Sequence, residues 1–179
     1  MCLRREPDPL DIVALHASAV RNEECALIFL GPSGTGKTTM YNLLSLNSYL
    51  QPLSVDAVYL VPQVDGGWHV ACGDRRVHEE IKFASWEEAT ALPSAPLRAV
   101  VRLHQALEPR LESADALQTC RYLTDAFFEI PWQRDEPLVV KQRAFANLAR
   151  IARLSPGYTF DFDRSARTLE MVNARLALW

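Results

Sequence analysis

An α/β fold, a mixed β-sheet with flanking helices, is what three observations predict. The run Cys25-Ala26-Leu27-Ile28-Phe29-Leu30 is apolar on both alternating faces, as a central strand covered on both sides must be. It passes directly into Gly31-Pro32-Ser33-Gly34-Thr35-Gly36-Lys37-Thr38, which matches GxxxxGKT at every fixed position. The segment after it places Met40, Leu43, Leu44 and Asn47 on one helical stripe. Strand, glycine-rich loop and helix follow in the order a phosphate-binding loop requires, so the expected fold is P-loop-containing.

The elements follow in chain order. Residues 12–20 read as a strand, and Arg21-Asn22-Glu23-Glu24 as a turn into the central strand. Beyond the first helix, Leu53-Ser54-Val55-Asp56-Ala57-Val58-Tyr59-Leu60-Val61 reads as one strand. Asp65-Gly66-Gly67 is a hairpin turn, and residues 68–72 are the returning strand. The middle of the sheet is therefore partly antiparallel. Residues 97–103 (LRAVVRL) form a further strand, and Ser113 is placed to cap a helix over 114–128 that Pro131 helps to stop. A third helix is expected over 137–154, with Pro137 in its first turn and Ser155-Pro156-Gly157 closing it. YTFDF is a short strand. A last amphipathic helix runs from 163 or 164 to 177, with Ala166, Leu169, Val172 and Leu176 at helical spacing.

A chain of 179 residues has the length of one domain, 1–179, with enough apolar surface to fold without metals or disulfides. With 49% apolar and 23% charged residues it is ordinary for a globular protein. The formal net charge of −3 lacks the basic surplus that nucleic acid or an anionic membrane demands, so neither is an expected partner. Cys2, Cys25, Cys72 and Cys120 are scattered, without a CxxC or Cys/His cluster, and read as free thiols of a reduced compartment. The N-terminus has no apolar signal core and no run is long enough to span a bilayer, which points to the cytoplasm.

The glycines of the loop let backbone amides converge on a polyanion that side chains would hold away. Lys37 would reach the β- and γ-phosphates, Thr38 would offer its hydroxyl to magnesium, and the helix N-terminus would add partial positive charge. Pro32, Ser33, Gly34, Thr35, Gly36 and Thr39 complete the set expected around ATP with Mg2+. Phosphoryl transfer also needs a base and a second hold on magnesium, and Asp56, in an apolar strand, is the leading candidate for either duty. A strand-edge aspartate bonded to backbone is the plainer alternative. Asp161 and Asp163 flank Phe162 in a pattern that could hold a cation, or that simple alternation explains. His69, His78 and His104 lack metal-site spacing, and Trp68, Trp86, Trp132 and Trp179 read as core or interface residues.

The succession HASAV at 16–20, LIFLGPSGTGKTT, then LSVDAVYL resembles the C-terminal kinase domain of HPr kinase/phosphorylase, a member of the phosphoenolpyruvate carboxykinase-like P-loop group. The similarity covers residues 12–60 most clearly. It continues more weakly through GWHV, APLRAVVRL and YTFDF to short stand-alone relatives without the N-terminal domain. The resemblance implies an ATP-dependent kinase acting on a serine of a protein or peptide. It also implies a role for His16, on the strand before the loop, in orienting the acceptor or binding phosphate. Where the family has Asp-Asp this chain has Val55-Asp56, and the family's arginine-containing segment is matched at best by Arg75 and Arg76, which could hold phosphate or substrate but read more simply as a solvated loop.

Three functions compete. The first is the serine kinase, with Lys37, His16 and Asp56 as catalytic residues and Thr38 and Asp56 on the metal. The second is an ATP-binding regulatory or assembly protein in which Val55 marks lost catalysis, and the third is a small-molecule kinase. A homo-oligomer is left open.

Overall fold

The structure is a computed structural model that describes residues 8–46, 50–73, 85–163 and 165–175. Arg75, Arg76, His78, Cys2, Asn47, Leu176 and Trp179 lie outside them. Nine strands and five α-helices make up the described part. They are β1 Val13–Leu15, β2 Ser18–Arg21, β3 Ala26–Leu30, α1 Lys37–Ser45, β4 Gln51–Ser54, β5 Val58–Pro62, β6 Trp68–Cys72, α2 Trp86–Thr90, β7 Ser94–Gln105, β8 Arg110–Ala114, α3 Ala116–Phe128, α4 Leu138–Leu154, β9 Gly157–Phe162 and α5 Ala166–Arg175. All nine strands join one mixed sheet in the order β1-β5-β6-β7-β3-β2-β4, with β9 paired to β7 and β8 to β9.

Parallel pairing is confined to β3–β7 and β7–β9, the strands behind the glycine-rich loop; the other pairs are antiparallel. Alternation along β3 explains why it sits centrally. Ala26, Ile28 and Leu30 pack with Leu123, Ala126, Leu148 and Ile151 of α3 and α4, whereas Leu27 and Phe29 pack with Met40 and Leu44 of α1 and Val172 of α5. Every one of these side chains is buried. Helices thus cover both faces, and burial of large apolar groups, about 1.5–3 kcal/mol each, dominates the stabilisation. Arg143 of α4 ties the N-terminal turn to this body, donating to Asp8 Oδ2 at 3.1 Å through both terminal nitrogens and to Asp11 Oδ1 at 3.2 Å through Nε.

Two predicted strands are each two. The strand expected over 12–20 breaks at His16 and Ala17, because β1 pairs with β5 while β2 pairs with β3 and β4. At the break the His16 amide donates to Ala126 O of α3 at 3.1 Å. The strand expected over 53–61 breaks between β4 and β5, where Asp56 adopts φ of +71°. Among the described residues it is the non-glycine with positive φ, a conformation that aspartate tolerates better than most. The Ser54 hydroxyl spans this break, donating to Ala57 O and accepting from Gly73 N at 3.1 Å.

Other boundaries move less. The hairpin forms as expected, with Gly66 at φ of +92° and Asp65 Oδ1 accepting from Gly67 N. Ser113 belongs to β8, and the cap of α3 is Asp115, in a reciprocal box with Gln118 that satisfies two amides at once. Ahead of the last helix Asp163 Oδ1 accepts from the Ser165 amide and hydroxyl and from the Thr168 hydroxyl, and Asp161 pairs with His104 at 3.4 Å. These partners account for both aspartates. Cys25, Cys72 and Cys120 are free thiols. Among the described residues no helix is long and apolar enough to cross a membrane.

Candidate functional site

The loop between β3 and α1 is shaped by three glycines. Gly31, Gly34 and Gly36 have φ of +153°, +85° and +96°. A Cβ on Gly31 would collide with Thr35 Oγ1, and one on Gly36 would lie 2.5 Å from Phe162 Cζ, so these two are required by space as well as by dihedral, whereas Gly34 faces open space and is required by its dihedral alone. Inside the loop the Thr35 hydroxyl donates to Pro32 O at 2.8 Å. From outside, Gln105 at the end of β7 donates to Gly34 O at 3.0 Å, which anchors the loop to the parallel neighbour of its own strand. Thr38 is exposed at the helix start. Thr39 opens onto a cavity of about 200 Å³ shared with Gln105, Ala106, Phe162 and Asp163.

Lys37 is 6% exposed and folds back along the loop, its ammonium donating to Gly31 O and, at 3.4 Å, to Pro32 O. Around it stand the other groups of the site. Glu129 Oε2 lies 3.8 Å from Lys37 Nζ and 3.7 Å from His16 Nε2. Burial pushes the Lys37 ammonium below its ordinary range, against the opposing pull of Glu129 and then Asp56, with Arg102 adding to the fall. Burial likewise lifts the Glu129 carboxyl, against Lys37 and Arg102, with Asp125 adding to the rise. Both members of the pair are thus shifted toward neutrality. An attraction across 3.8 Å without a hydrogen bond does not offset the desolvation of two charges.

Arg102 completes the ring. It sits on β7 in register with Leu30, the last residue of β3. Its guanidinium is 3.7 Å from Asp125 Oδ2 and 5.5 Å from the centroid of the Tyr122 ring. Nε and Nη1 are buried and lack hydrogen-bond partners among the described residues.

Of the residues expected from sequence, the structure gathers Gly31 to Thr38, His16 and Asp56 into one neighbourhood. Their routes differ from expectation. Asp56 was expected within a strand, but it comes in from the loop after β4, which β2 separates from β3. His16 lies at a strand break, though its following strand does run antiparallel to β3. Glu129, Arg102 and Gln105 were not anticipated. Two carried a signal: Glu129 puts a carboxylate at a helix C-terminus, where the macrodipole disfavours it, and Arg102 puts a charge inside an apolar strand.

Comparison with protein-family models and with curated proteins gives no match. Among solved structures the chain is similar to the Hpr(Ser) kinase/phosphatase from Coxiella burnetii, with 11% identity over 92% of this chain and 87% of that one and a TM-score of 0.45. A likeness of that size carries no argument about activity.

Proposed function

We propose that the chain is an ATP-dependent phosphotransferase of the HPr-kinase-like class, passing the γ-phosphoryl group to a serine hydroxyl of a protein or peptide. The observation that carries this reading is the setting of Lys37. A buried ammonium at the base of a glycine-shaped loop, ringed by His16, Glu129, Asp56 and Arg102, is more than phosphate holding needs. Nucleotide binding alone would be served by the loop amides and one lysine. The added acids and bases are what transfer requires. The resemblance of residues 12–60 supports serine as the acceptor class.

Magnesium fits the donor set. Among the described residues no cluster of three or more His, Cys, Asp or Glu could hold a metal. An ion that keeps most of its shell as water and phosphate oxygens needs only one or two protein ligands. The exposed Thr38 hydroxyl and the Asp56 carboxylate would supply them. When bound, the ion would neutralise charge on the phosphates; Lys37 and the loop amides would fix their orientation.

The test is label transfer from [γ-32P]ATP to a panel of serine peptides. Transfer that is lost in Lys37→Ala and Asp56→Ala supports the proposal. The second reading, a nucleotide-binding regulator without catalysis, is motivated by Val55 at the first position of the family's Asp-Asp pair. It expects calorimetric ATP binding with no transfer to any acceptor.

A further inference from the structure

Glu129 is out of place in a phosphate site unless it takes part in chemistry. It caps the C-terminus of α3, where the helix dipole already disfavours an anion, and it is 23% exposed. A triphosphate on the loop would confront it across Lys37. Its use as an anchor for Lys37 is redundant, since the Gly31 and Pro32 carbonyls already hold that ammonium. The charged groups facing it are His16 from the break after β1, Lys37 from α1, Arg102 from β7 and Asp125 from its own helix. Of these, His16 comes nearest, its Nε2 lying 3.7 Å from Oε2, the same oxygen that stands 3.8 Å from Lys37 Nζ.

We propose that Glu129, oriented by His16, is the general base that accepts the proton of the acceptor hydroxyl. The inference rests on the transfer reading above. As the hydroxyl oxygen forms its bond to the γ-phosphorus, the bond from that phosphorus to the bridging oxygen breaks. The nucleoside diphosphate departs with the electron pair, and the hydroxyl proton passes to Glu129 Oε2. A carboxyl held above its ordinary range by burial is better matched to this task near neutral pH than a solvated one.

Glu129→Gln keeps the shape and removes the base. Affinity for a non-hydrolysable ATP analogue is read by calorimetry, and turnover is read both as label transfer to serine peptides and as phosphate release to water. The expected outcome is a split. Analogue binding stays equal or tightens by up to about tenfold, as loss of an anion near the phosphates requires. Turnover falls by about 10²- to 10⁴-fold, and the acid limb of the pH profile disappears. Should Glu129→Gln fail to fold, Glu129→Asp, which keeps a carboxyl one methylene back, is expected to retain that limb at reduced rate; its loss would overturn the assignment.

Wild-type turnover with an intact acid limb in Glu129→Gln would overturn the role of Glu129 and leave the transfer reading standing. Parallel loss of binding and turnover would make Glu129 an anchor for Lys37 instead. A wild type that binds the analogue yet transfers to neither serine nor water overturns the transfer reading, and this inference with it.

Discussion

His16 and Asp56 occupy two strand breaks that lie opposite each other. Leu15 pairs with Val58 on one side of the breaks and Ala19 pairs with Ser54 on the other, so the stretch holding His16 runs alongside the stretch holding Asp56. A continuous ribbon would have sent alternate side chains to opposite faces with no freedom to turn. The paired interruption releases both residues at one place. There the chain leaves the edge near β5 and joins the strands flanking the loop.

The Asp56 backbone can be separated from its carboxylate. Asp56→Ala places an ordinary Cβ at φ of +71° and is expected to lower stability by about 1 kcal/mol relative to Asp56→Gly, with Asp56→Asn in between. All three should reduce transfer by at least about tenfold. Urea unfolding beside label transfer measures the two effects independently.

Lys37→Met tests whether the buried ammonium is a cost to the fold. Burial dominates its lowered pKa, so the folded protein meets a penalty at pH values below the folded-state pKa, which is relieved as pH rises through it. Removing the charge is therefore expected to leave the unfolding midpoint at neutral pH equal to or above that of wild type. Nucleotide affinity should drop by about 100-fold, the worth of a lost charge-assisted contact to phosphate. A lower midpoint would show instead that Glu129 and the loop carbonyls stabilise the cation.

Glu129 gives the opposite sign. Its raised pKa means that the folded state holds the proton more tightly than the unfolded chain. The penalty is absent at low pH and develops as pH rises from the ordinary carboxylate range through the folded-state pKa. Glu129→Gln should accordingly gain on wild type as pH rises through that window, in paired denaturation curves. Arg102→Leu removes a cation that lowers the Glu129 pKa, so the acid limb of turnover should move to higher pH.

The contact between Gly36 and Phe162 is open to a mutant cycle. Gly36→Ala is expected to cost about 1–3 kcal/mol and to weaken nucleotide binding, since both the positive φ and the Phe162 ring oppose a methyl group. Adding Phe162→Leu relieves the collision but not the dihedral. The pair should thus be less destabilised than the sum of the singles, as read by thermal unfolding.

The central strand, the loop and the helix after it were legible because their pattern is local: an apolar run ends at a glycine and passes into a helical stripe. The hairpin at Asp65-Gly66-Gly67 and the helix ending at Ser155-Pro156 were legible for the same reason. The breaks at His16 and Asp56 were hidden, because HASAV and SVDAV have strand composition throughout and only non-local pairing decides where each ribbon changes partner. Ser113 and Asp115 were both able caps, and Gln118, three residues beyond Asp115, decided between them. Glu129 and Arg102 join the site from more than sixty residues beyond the loop, and their isolated local signals gave no indication of a shared destination.

The seat of Gly36 against Phe162 also links the loop to a distant part of the chain. The loop lies near the start of the chain, whereas the ring that abuts it belongs to the last strand and Gln105 to the strand between. A polypeptide emerging in order would expose the glycine-rich loop before the β9 ring that abuts it. On the proposed reading, a triphosphate held by this loop would favour the assembled sheet, because the loop shape it binds is braced by Phe162 and Gln105.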